Sequence, residues 1–198
     1  MGRVLPFVSR DLTNTGRNLG TKTEPATHNA LTSMQGITQT YAGRLTDAEL
    51  AHVLGSYAAG YAAMCAFDAL KGHDLFTEAR GDYQHSVDAL IDGPTLSKAR
   101  WDGAQCAEKV FKGLLAQAGH PYPTAGAKGH DIAHLGGLIK THFEIAIPAG
   151  VLRAIHCPPA VRYGEMNVDQ NEAWTSHMAL LTALRAVAAI KQPGPRLR

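Results

Sequence analysis

Apolar residues recur along this chain at intervals of three and four, and no alternation of period two survives for more than a few residues. The clearest stripe is Ala104, Ala107, Val110, Phe111, Leu114 and Ala118, on a predicted helix from about Leu96 to Ala118 that Gly119 closes. Upstream, Thr46 and Glu49 have capping-box spacing, and Leu45 and Leu50 are placed as a hydrophobic staple. They open a helix carrying Leu50, Val53, Leu54, Tyr57, Tyr61, Met64, Cys65 and Phe67, which Gly72 ends. Gly55, Ala58, Ala59, Gly60, Ala62 and Ala63 fill the gaps, so this helix is apolar on nearly every face. It reads as a central core helix or, alternatively, as a subunit interface, because such an element must be covered by something.

A third helix, about Thr77 to Ile91, presents Tyr83, Val87, Leu90 and Ile91 and stops at Asp92-Gly93-Pro94. After a loop from His120 to Gly129, Asp131 can cap a helix built on Ile132, Leu135, Leu138, Ile139 and Phe143. Pro158 and Pro159 then precede Arg162-Tyr163. Asp169 and Glu172, again in capping-box spacing, open a last helix through Trp174, His177, Leu181, Leu184, Val187 and Ile190, ending before Pro193-Gly194. Residues Ala30 to Leu45 space Leu31, Met34, Ile37 and Tyr41 for a short helix, against Gly36 and several threonines. From Met1 to about Glu24 the chain has too few large apolar residues for a core of its own, which predicts an extended arm. The expected class is all-α: an antiparallel bundle of about five to seven helices over residues 46–198, preceded by a basic arm over residues 1–45.

Composition changes this picture little. The 198 residues suffice for one well-buried domain, and 45% hydrophobic with 18% charged residues excludes a disordered chain. The net charge of +2 is uneven: Arg3, Arg10, Arg17, Lys22 and Arg44 stand near the start, and Lys191, Arg196 and Arg198 at the end. Basic termini permit contact with a polyanion without demanding it. Cys65, Cys106 and Cys157 lack paired metal spacing and predict buried thiols in a reducing compartment. The N-terminus MGRVLPFVSR is too short in apolar run for a signal peptide, and the uncharged run Val53 to Phe67 falls short of a membrane span. A cytoplasmic protein without a membrane segment is expected.

The charges that stand out lie beside the clearest stripe. Glu108 and Lys112 are four apart with the acid first, a pair worth only a few tenths of a kcal/mol on an exposed helix. A solvated flank accounts for them most simply; a partner or ligand surface is the alternative.

The order of features carries more than any single one. The phrase CAEKVFKGLL is followed by a loop rich in Gly and Pro, then by GHDIAHLGGLI opening a helix, then by VRY ahead of the final helix. Over about Phe76 to Ile190 this resembles the HEPN family of helical bundles. The resemblance implies a homodimer that binds a nucleotide or RNA, belonging to a defence or toxin-antitoxin system and partnered by a separately encoded nucleotidyltransferase. Family ribonucleases use an Arg and a His four to six residues apart. Here Arg162 is followed by YGEMNVDQNE, His177 is too distant, and His156 lies only three residues after Arg153. The resemblance therefore implies a binding protein or an atypical enzyme, with no cofactor. The residues it carries over as ligand-binding are Lys109, Lys112, His130, Asp131, Arg162 and Tyr163. Lys and Arg supply phosphate contacts, a helix start supplies oriented N–H groups, and Tyr offers a ring for stacking. Structural roles compete with this at each position: Arg162 can pair with Glu108, and His130 can cap or pack.

HDIAH, His130 to His134, also resembles the His-Asp pair of HD-type metal-dependent phosphohydrolases, with His73 or His85 and Asp169 as further ligands. The loop immediately before it departs from the apolar helical setting of that pair. Zinc-peptidase spacing fits poorly, since Asp131 stands where the chemistry needs Glu. A third expectation is a structural homodimeric partner using the helix from Thr46 to Lys71.

Overall fold

A computed structural model of the chain describes residues 4–17, 24–93, 95–187 and 190. The basic positions Arg3, Lys22, Lys191, Arg196 and Arg198, the breaker Pro94 and the expected helix stop at Pro193-Gly194 lie outside the described residues. The chain forms two compact units, residues 1–62 and 63–198, a division inside a helix and not at 45/46.

In the first unit the N-terminal segment is extended, and it is also tied down. Strand β1 (Val4–Phe7) pairs in parallel with β2 (Ala26–Asn29), Val4 opposite Ala26 and Phe7 opposite Asn29. Four residues per strand are too few for an alternating pattern to register. The tie is polar. Asn29, fully buried, donates through Nδ2 to the carbonyls of Ser9 (3.1 Å) and Asn14 (3.0 Å), while its Oδ1 accepts from the Ser9 N–H. Gly16 (φ +93°) passes so close that a Cβ there would stand 2.4 Å from the Thr27 carbonyl. Val8 and Leu12 pack on a small core of Leu31, Ala42, Leu45 and Leu50. The arm thus joins a core built from residues downstream of it.

The helix expected over 30–45 is two pieces: a 3-10 turn Ala30–Ser33 and α1 (Gln39–Arg44), separated at Gly36 (φ +74°). The capping box at α2 (Asp47–Ala69) forms as expected. Glu49 accepts from the Thr46 N–H at 2.7 Å, and Leu45 and Leu50 share one apolar cluster. The middle of α2 is not a core helix: only 17% of its apolar window is buried. Among the described residues it is also the one helix long and apolar enough to cross a membrane, since helical residues flank the uncharged run on both sides.

In the second unit α3 (Asp74–Asp92), α4 (Leu96–Ala118), α5 (Ile132–Phe143), α6 (Ala149–Ile155), α7 (Pro159–Arg162) and α8 (Gln170–Val187) form a bundle around α4. Ala104, Ala107, Val110, Phe111 and Leu114 are buried as the stripe predicts, and Cys106, Gly113 and Leu115 are buried as well. Gly113 is where α3 comes closest: a Cβ there would lie 2.6 Å from the Phe76 ring. The caps at Asp131, Asp169 and Gly119 are formed. Two short helices, α6 and α7, gave no signal in the apolar period because seven and four residues fall short of the several turns over which that period is read.

Candidate functional site

Helix α4 lays Trp101, Ala104, Gln105 and Glu108 along one face, at the helical steps i, i+3, i+4 and i+7. That face floors a cleft of about 550 Å³. One wall is the start of α5, with Ala127, His130, Asp131 and Ile132. The other is the α6–α7 segment, with His156, Cys157, Pro159, Arg162 and Tyr163. Each wall is set by a local device. Asp131 accepts from the N–H groups of Ala133 (2.9 Å) and His134 (3.1 Å), fixing where α5 begins and His130 beside it. Pro159 starts α7 and buried Val161 anchors it, so Arg162 and Tyr163 emerge at its end.

At the floor lies a buried ion pair that a more exposed histidine joins. Glu108 Oε1 stands 2.7 Å from Lys112 Nζ and Oε2 3.0 Å from His130 Nδ1. The Glu108 and Lys112 side chains are only 7% and 9% exposed, which removes the solvated-flank reading of the pair. A carboxylate only accepts, so His130 donates from Nδ1, and in the neutral ring Nε2 is left as an acceptor; the ring is mostly exposed and lines the cleft.

At the rim, Arg162 does not pair with Glu108. Its guanidinium lies over the Trp101 indole, 4.9 Å from the ring centroid, and 5.9 Å from the Tyr163 ring. It is exposed and has no acidic partner among the described residues. Tyr163 is 70% exposed. An uncompensated guanidinium between two aromatic rings suits an anion with planar groups attached.

The structure therefore brings Glu108, His130, Asp131, Arg162 and Tyr163 to one cleft and leaves two expected residues out of its lining. Lys109 turns to α3, pairing with Asp82 (2.8 Å) and Glu78 (3.3 Å). Burial opposes the charge of Lys109, but those two carboxylates outweigh it and hold its pKa above the ordinary lysine value. Lys112 stands behind Glu108. Trp101 and Gln105 were not singled out in the sequence, and the step of seven from Glu108 back to Trp101 is the signal that would have found them; His156 was weighed only for its spacing from Arg153, and Cys157 only as a buried thiol.

The residues nominated for an HD-type metal site do not converge. Among the described residues no three His, Cys, Asp or Glu side chains are grouped to hold a metal ion. The reason is local: His73 accepts from the Leu75 N–H as the cap of α3, Asp131 caps α5, and Asp169 caps α8. Of the three thiols expected to be buried, Cys106 and Cys157 are buried and Cys65 is exposed. Burial pushes Cys157 above its ordinary value, although the Arg100 charge works against this, and burial also raises Cys106 strongly. Comparison with protein-family models, curated proteins and solved structures finds no match for this chain.

Proposed function

We propose that this chain is a HEPN-like protein that binds a nucleotide or RNA in the cleft between α4, α5 and α7. The observation that carries the reading is Arg162: a cation without an acidic partner among the described residues, laid on Trp101 beside an exposed Tyr163. Phosphate would take the guanidinium, a base would stack on an aromatic face, and His130 Nε2 would accept from a ribose hydroxyl or a base N–H. Two of the three described arginines of the N-terminal arm add less than their number implies, because Arg10 is paired with Asp47 and Arg17 with Glu24. The site, not the arm, is where binding is read. Titration with uridine and adenosine monophosphates and short RNA at low salt tests it, following Trp101 fluorescence in a Trp174→Phe background. Binding weakened at least tenfold by Arg162→Ala supports the reading, and binding indifferent to that change removes it.

A second reading, a homodimeric partner protein, is favoured by one observation on α2. Ala51, Gly55, Ala58 and Ala62 follow each other at steps of four, three and four on a helix whose apolar window is mostly unburied. Small residues at that spacing let two helices approach closely. Sedimentation of the intact chain tests it: a strictly monomeric species at high concentration removes this reading.

A further inference from the structure

Trp101 and Arg162 do not belong to one cleft alone. They also line a second, of about 500 Å³, whose other walls include Thr95, Ser97, Lys98 and Gly164. The two clefts meet at the Arg162–Trp101 stack, so the exposed guanidinium is a shared boundary, with space of similar size on either side. The second space has its own acceptor-binding character. Thr95 makes no side-chain cap to α4, and no acidic residue occupies that helix's first turn, so first-turn N–H groups remain as donors. Among the described residues lining this space the one carboxylate, Asp102, is held by Lys98.

We propose that the ligand is a single-stranded polynucleotide lying across both clefts, with an internal phosphodiester on Arg162 and one nucleoside in each cleft. The inference rests on the reading of the first cleft given above and narrows it. A mononucleotide would need one cleft with the cation at its end. A phosphodiester carries one anion between two planar groups, which is the complement of a guanidinium flanked by Trp101 and Tyr163 with room on both sides. Bases without defined edge contacts stack on such rings with little sequence preference, so length, not sequence, governs affinity.

The experiment uses the intact chain in the Trp174→Phe background at low salt, with uridine monophosphate, the dinucleotide UpU, a short oligo-U and the matching oligo-dT. UpU and oligo-U are expected to bind at least tenfold more tightly than the monophosphate. Ser97→Phe, which fills the second cleft without adding an indole, is expected to reduce oligo-U to the affinity of the monophosphate without changing the monophosphate itself. Lys98→Glu, an exposed charge reversal, gives the same test should Ser97→Phe fold poorly. Oligo-dT binding like oligo-U assigns the site to single strands of either sugar; preference for oligo-U adds the ribose hydroxyl as a contact. Equal affinity for monophosphate and oligomer, or an oligomer affinity untouched by both variants, overturns the two-cleft proposal while leaving the first cleft in place. Failure of every probe to bind overturns both.

Discussion

Replacing Glu108 by Gln tests the buried Glu108–Lys112 pair with almost no change of shape. In the folded protein Lys112 Nζ has Glu108 Oε1 at 2.7 Å, and the Lys112 side chain is 9% exposed, so water cannot take the place of the carboxylate. Removing one partner of such a pair strands the other charge, at a cost of roughly 3–5 kcal/mol, about ten times the value of the same pair on an exposed helix. For a domain of this size that corresponds to a fall in Tm on the order of 10 °C. Replacing both partners with apolar residues of similar volume, Glu108→Leu with Lys112→Met, should instead leave stability within about 1 kcal/mol of the parent or above it. Urea unfolding followed by far-UV circular dichroism at neutral pH, on Glu108→Leu, Lys112→Met and the double, gives the coupling directly, with Glu108→Gln measured beside them. A loss below about 1 kcal/mol for Glu108→Gln, with single effects that simply add in the double variant, would refute a desolvated pair.

Other outcomes follow from single contacts. Asp131→Ala removes the acceptor for two N–H groups of α5 and should cost about 1 kcal/mol, read from the urea midpoint. Gly113→Ala drives a methyl into the Phe76 ring and should cost about 1–3 kcal/mol, with part of the loss recovered by adding Phe76→Leu; no change in Tm would contradict that contact. His177, stacked on Trp174 and held neutral by burial, has its pKa lowered from 6.5. Below pH 6.5 the unfolded chain takes up a proton there that the folded state refuses. Stability should therefore fall as pH drops through 6.5 and level off below the folded-state pKa, and His177→Phe should flatten that slope; an unchanged slope counts against the assignment. Ala58→Glu should abolish any self-association seen by sedimentation while leaving the circular dichroism spectrum unchanged, if α2 is an interface.

The parts of the fold legible in the sequence were those where one residue type does one local job. The capping boxes at Thr46 and Asp169, the cap at Asp131 and the left-handed Gly119 all stand where their spacing placed them. The long stripe on α4 identified the buried face because its period extends over many turns. Illegible were features that depend on distant residues. The knot around Asn29 is a hydrogen-bond arrangement between segments far apart in sequence, and α6 and α7 are shorter than the several turns over which a helical period can be read. The same division holds at the cleft. The i,i+4 pairing of Glu108 with Lys112 was legible from spacing, but the expected pairing of Arg162 with Glu108 is not what forms. Glu108 takes Lys112 and His130 and leaves Arg162 to Trp101, a choice made by the position of α7 that no spacing within α4 encodes. Lys109, one residue from Glu108, faces α3 because one step along a helix turns a side chain by about 100°.

The measurement closest to the central claim is the affinity of the intact chain for short single-stranded RNA at low salt, compared across Arg162→Ala and Lys109→Ala. The two variants remove equal charge from neighbouring parts of the bundle. A cleft organised by Arg162 predicts a loss of about tenfold or more for Arg162→Ala and essentially none for Lys109→Ala, whose ammonium is held by Asp82 and Glu78. Equal small losses from both variants would mean a diffuse electrostatic contact, and would contradict a built site at the α4–α5–α7 cleft.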